Sequence, residues 1–185
     1  AKPSTTIKFS RPDVTPAEKL AGGIDGFIDA VGRITAWSSF ALALVMGGNV
    51  LLRYGFNTGS VWSQELEWHL MSPICLFGMS YALRHGEHVR VDVLFASYSQ
   101  RNKYLVEFIT ALLSMAISLI IIKLSWAYVL QSWSIGEGTA NPGGISARYI
   151  LKGLIPLGFA LLFLQSLAQA IQYFLAWRGE RTNAV

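Results

Sequence analysis

The chain has 185 residues, 52% hydrophobic and only 14% charged, with a positive mean hydropathy. A soluble domain of this size carries roughly 25% charged residues, so composition excludes an ordinary water-soluble globule and puts much of the chain in lipid. The net charge of +4 comes from basic residues scattered between apolar runs, with none of the stripes or motifs that nucleic-acid binding requires.

Residues 1–16 are polar and contain Pro3, Pro12 and Pro16, so they read as a loose tail and not as a secretory signal. "TPAE" at Thr15–Glu18 is a capping box with proline at the first helical position. Beyond it, Leu20, Ile24, Phe27, Ile28 and Val31 share one helical face, and Asp25, Asp29 and Arg33 the opposite one. This segment is predicted to be an amphipathic helix, either lying in the headgroup plane or packed on other protein.

The first predicted span, 34–52, contains no charge and closes on Arg53. A turn at Asn57-Thr58-Gly59 follows, with Trp62 next and Ser63 as the expected cap of the second span. That span, 68–83, is short unless it extends back through Glu65 and Glu67. Glu65 and His69 are four residues apart and can hydrogen-bond, whereas Glu67 points about 200° away from Glu65. Cys75, inside the apolar run, reads as a small buried hydrophobe; a lone cysteine gives neither a disulfide framework nor a thiolate metal centre.

Next comes "RHGEHVRVDVL", residues 84–94, where Gly86 should end the helix and Val89, Val91 and Val93 alternate with His88, Arg90 and Asp92. One reading is a membrane-surface turn held by headgroups and local salt bridges. The other is a metal centre or membrane enzyme built on His85, Glu87, His88 and Asp92, although "HGEH" is not the HExxH zinc motif. A bis-histidine haem is excluded, because His69 and His85 lie sixteen residues apart on one helix, about 24 Å along its axis. No cofactor or metal is expected.

The third span, 108–136, is interrupted only by Lys123. A lysine at a helix centre costs roughly 2.5–3.5 kcal/mol on insertion scales, so it should find a partner. Two are open: Glu67, reached between the second and third spans, or a carboxylate or carbonyl of another subunit. A turn at Asn141-Pro142-Gly143-Gly144 and a cap at Ser146 lead into the fourth span, 153–177. It carries Pro156 near its entry and a stripe of Gln165, Gln169 and Gln172, directed either into the chain's own bundle or at another membrane subunit.

Only helices or closed barrels satisfy the backbone in lipid, and nothing alternates over ten-residue segments as a barrel requires. The expected fold is therefore an all-α membrane protein with four transmembrane helices plus an N-terminal amphipathic interfacial helix. The domain plan is a tail at 1–16, a four-helix membrane domain at 17–177 and a C-terminal tail at 178–185. Orientation follows from the basic residues: Lys2, Lys8, Arg11, Lys19, Arg33, Arg84, Arg90, Arg101, Lys103, Arg178 and Arg181 fall on one side, against Arg53, Arg148 and Lys152 on the other. Both termini and the 84–103 connection should then be cytoplasmic.

"RYGF", "VWSQELEWHL", "ALRHGEHVRVDVL" and "GLIPLGFALLFLQSLAQAI" occur in this order. Over residues 20–177 the set resembles the small membrane subunit of tripartite ATP-independent periplasmic (TRAP) transporters, the DctQ-like family. The family pattern falls on Arg53, Trp62, Glu65, Arg84, Gly86, His88, Asp92 and Pro156. The resemblance implies a four-helix scaffold in the bacterial inner membrane, holding neither substrate nor sodium. Its implied partners are a large, sodium-coupled elevator subunit and a periplasmic substrate-binding protein that captures an organic anion. "ELEWHL", "HVRVD" and "ARYILKGLIPLGFALLFLQ" look closest to a branch associated with 2-oxo acids and other monocarboxylates. An assembly subunit of some other membrane complex is the alternative from a different class.

Overall fold

Four helices make up nearly all of the computed structural model, which describes residues 15–87 and 98–183. The first, α1, is Pro16–Phe56, with 41 residues, about 60 Å at 1.5 Å per residue. The predicted capping box forms: the Thr15 side chain accepts from the Glu18 N–H, and the Glu18 carboxylate accepts from the Thr15 N–H at 2.6 Å. The predicted break between an interfacial helix and the first span is absent. Residues 30–36 contain neither proline nor a C-cap, and the helix runs straight through them. It ends at Asn57, whose φ of 54° is left-handed, a conformation asparagine tolerates better than most residues.

α2 is Val61–His85, and its cap is Ser60, not the expected Ser63, whose N–H donates to the Ser60 hydroxyl at 3.4 Å. It ends as predicted on Gly86, at φ 68°. Gly86 N–H reaches Leu83 O and Glu87 N–H reaches Ala82 O, the paired bonds of a Schellman motif. α3 is Gln100–Ser134, capped by Ser99, and α4 is Arg148–Asn183, which continues through residues expected as the C-terminal tail. By length and composition α1, α3 and the Arg148–Gly179 part of α4 are apolar enough to cross a membrane. α2 has the length, but Glu65, Glu67, His69, Arg84 and His85 make it more polar. The chain is an all-helical, multi-pass membrane protein.

α4 is the hub. It packs on α1, α2 and α3, α1 also packs on α2, and α3 lies along α4 with no comparable contact to α2. The α3 seam is Ala111, Ser118, Ser125 and Ser132, all buried and seven residues apart, the spacing of a left-handed crossing. Small residues let two backbones approach where lipid offers no hydrophobic drive. The hydroxyls of Ser118 and Ser125 donate to Ser114 O and Ile121 O, so the seam leaves these two satisfied within their own helix. Gly158 of α4 lies against Leu76 of α2, where a Cβ would stand 2.7 Å from Leu76 Cβ and 3.0 Å from its carbonyl oxygen. Gly32 of α1 meets the Tyr81 ring in the same way.

Outside the seams the surface is apolar; Trp37 and Leu124 are 73% and 68% exposed. Cys75, expected as a buried hydrophobe, is on this outer surface. An apolar face at a lipid boundary satisfies the residue as well as a core does, so hydropathy could not separate the two.

Candidate functional site

Polar side chains converge at two places, one at each end of the bundle. At the first, α2 presents Glu65, 4% exposed, beneath the α3–α4 connection and ahead of the apolar run 68–83. That connection folds over it because Asn141-Pro142-Gly143-Gly144 makes a tight turn, with Gly144 N–H on Asn141 O at 3.1 Å. Gly143 takes a φ of 80°, the left-handed value a type II turn needs at this position. Glu65 Oε1 accepts from the Thr139 hydroxyl and from Asn141 Nδ2 at 3.2 Å, and Arg148 Nη2 stands 3.9 Å away. Glu65 Oε2 accepts from the Ile145 N–H at 2.6 Å. Gly144 leaves no room for a side chain, since a Cβ there would fall 2.5 Å from Glu65 Oε2.

Beside this clamp, Glu137 bonds Lys152, which holds the Glu137 carboxyl below its ordinary range. Lys152 Nζ also lies 3.9 Å from the centre of the Tyr128 ring. His69 does not reach the Glu65 carboxylate; its Nδ1 bonds the Glu65 carbonyl at 2.7 Å.

The second cluster joins the first half of α1 to α2 and α4. Asp25 accepts from Gln165 Nε2 at 3.1 Å and from Gln172 Nε2 at 2.9 Å. Gln169 Nε2 donates to Leu83 O at 2.8 Å, one of the carbonyls at the end of α2. Asp29 takes Arg84 Nη2 at 2.7 Å on one oxygen and His85 Nε2 at 3.2 Å on the other, and His85 packs on the Tyr81 ring. The aspartates of α1 therefore point into the bundle, while Leu20 and Phe27 are exposed. The glutamine stripe is directed into the chain's own bundle, the first of the two readings.

The expected pair of Lys123 and Glu67 is not made. Glu67 accepts from Asn49 Nδ2 of α1 at 3.0 Å, and Lys123 is exposed on α3, which α2 does not flank. Asn49, the one amide in the run 34–52, was the signal that could have located this partner. Arg53 and Trp62 are exposed near the loop 57–60, and Pro156 is buried in the first turns of α4. His88 and Asp92 lie outside the described residues. Among the described residues no three His, Cys, Asp or Glu side chains converge as a metal centre would need. His85, one member of the enzyme reading, is engaged with Asp29.

The chain is similar to three bacterial proteins. A provisionally named TRAP transporter small permease protein of Haemophilus influenzae is 31% identical over 54% of this chain and 63% of its own length. The C4-dicarboxylate TRAP transporter small permease protein of Vibrio cholerae is 27% identical over 79% of this chain and 72% of that protein. The ectoine TRAP transporter small permease protein of Halomonas elongata is 24% identical over 83% and 79%. The family model for tripartite ATP-independent periplasmic transporters, DctQ component, matches residues 42–176, well over half of the chain. The matched region takes in Glu65 with its loop, the α3–α4 seam and the glutamine stripe, and the chain belongs to this family of transport components, not to an enzyme family.

Proposed function

We propose that the chain is the small, non-transporting scaffold subunit of a sodium-coupled TRAP transporter for organic anions. It would support a large elevator-type membrane subunit, supplied by a periplasmic substrate-binding protein. The observation that carries this reading is where the polar side chains go. Glu67, Asp25, Asp29 and the three glutamines are engaged in bonds between helices of this chain, and Glu65 ties α2 to the α3–α4 connection. Such bonds make a rigid frame, which suits the static side of a moving partner.

In this reading α2 is the fourth crossing, since its 25 residues span about 37 Å. The N-terminal end of α1 stands on the cytoplasmic side of the inner membrane, with both termini on that side, as the eleven basic residues favour. The relatives are named for different substrates, a C4-dicarboxylate and ectoine. For this chain we favour 2-oxo acids or other monocarboxylates, on the "ELEWHL" and "ARYILKGLIPLGFALLFLQ" segments.

Reconstitution tests the proposal. Proteoliposomes with this chain, the large subunit and the binding protein should take up the anion on a sodium gradient, and this chain alone should not. Uptake by this chain alone, or full uptake without it, overturns the scaffold role.

A further inference from the structure

Lys123 is the only charged residue between 108 and 136, and it is exposed. Ser125, two residues on, lies in the seam against α4, so Lys123 points about 200° away from that seam, off the back of the outermost helix. It stands five residues, about 7.5 Å, deeper than Tyr128, whose ring takes Lys152. An ammonium group facing hydrocarbon at such depth is strongly unfavourable.

Among the described residues no carboxylate reaches that face. Glu137 is bonded to Lys152, Glu65 to the connecting loop, Glu67 to Asn49, and Asp25 and Asp29 to residues at the other end. Along the same face, one or two turns away, stand Ala116, Leu119, Ala127 and Leu130, all exposed. The alanines on either side allow another helix to come close. A second copy of this chain is a poor occupant, because a symmetric contact here would set lysine against lysine.

We propose that α3 docks, through Lys123 with Ala116 and Ala127, on a helix of the large membrane subunit that carries an aspartate or glutamate at the same depth. This rests on the function proposed above. The test uses the co-expressed complex purified in detergent, with a photo-crosslinking residue at position 116 or 127 and Lys123 intact. Adducts with the large subunit are expected from both positions. Lys123→Met and Lys123→Glu should weaken the complex about 30-fold or more, whereas Lys123→Arg should stay within about threefold of wild type. Should Lys123→Glu fail to insert, the crosslinks and Lys123→Met still decide.

Wild-type binding accompanied by adducts only to lipid or to a second copy overturns the proposal. So does Lys123→Met binding as tightly as wild type, the behaviour of a lysine that snorkels to phosphate. If the wild-type chain does not bind the large subunit, the proposed function fails and takes this proposal with it.

Discussion

Ile145 gives its backbone N–H to Glu65 Oε2 at 2.6 Å, tying the α3–α4 connection to a helix eighty residues earlier in the chain. Both oxygens must accept, because Thr139 and Asn141 donate to the other one. Glu65→Gln keeps the shape but can turn an amide N–H toward the Ile145 N–H. It should lower the melting temperature in detergent by about 3–6 °C, and Thr139→Val should do less. An unchanged melting curve for Glu65→Gln would remove the clamp from the stability argument.

The same end should be sensitive to acid. The bond from Lys152 lowers the folded-state pKa of Glu137. Its contribution is complete above the ordinary carboxylate value, about 4.3, and is lost as pH falls through the lowered value. Amide exchange of residues 139–148, corrected for intrinsic rates, should be steady from neutral pH to about 5.5 and speed up below about 4. Exchange that speeds up near neutral pH would point to another group.

Asp25 serves two glutamines at once. Asp25→Ala strands both amide N–H groups and should cost about 1–2 kcal/mol in detergent unfolding. In a double-mutant cycle with Gln172→Leu the losses should fall short of additive. Strict additivity would mean that the 2.9 Å bond carries no energy.

Two glycines of α4 should behave oppositely. Gly158→Ala forces its Cβ onto Leu76 and should cost about 1–3 kcal/mol. Gly153→Ala meets nothing within 4 Å and should be neutral or stabilising by up to about 1 kcal/mol. Equal effects at both sites would contradict the close α2–α4 approach.

For the proposed orientation, Cys75→Ser combined with Glu87→Cys should resist a membrane-impermeant thiol reagent in spheroplasts and react after permeabilisation. Gly59→Cys should react from outside. Labelling of position 87 from outside would reverse the topology.

Where a local rule decides an element, the sequence was legible. Thr15 with Glu18, Gly86, and the Asn141–Gly144 turn all stand where cap and turn chemistry put them. The direction of a polar face was harder. Asp25 and Asp29 were expected toward headgroups or foreign protein, yet they face Gln165, Gln172, Arg84 and His85 of the same chain. Periodicity places residues on a face but does not say what the face meets. Lys123 and Glu67 missed each other for a related reason: proximity in chain order suggested α2 beside α3, and α4 sits there instead. The α4 hub is a matter of tertiary packing that no single segment encodes.

The seam at Ala111, Ser118, Ser125 and Ser132 makes the length of α3 a quantised variable. One extra residue within it would rotate every later small side chain by about 100° and drive a bulky neighbour such as Leu124 into α4. Seven extra residues would restore the phase and only lengthen the rod. Drift in this helix is therefore confined to substitutions, or to whole heptads that carry their own small residue.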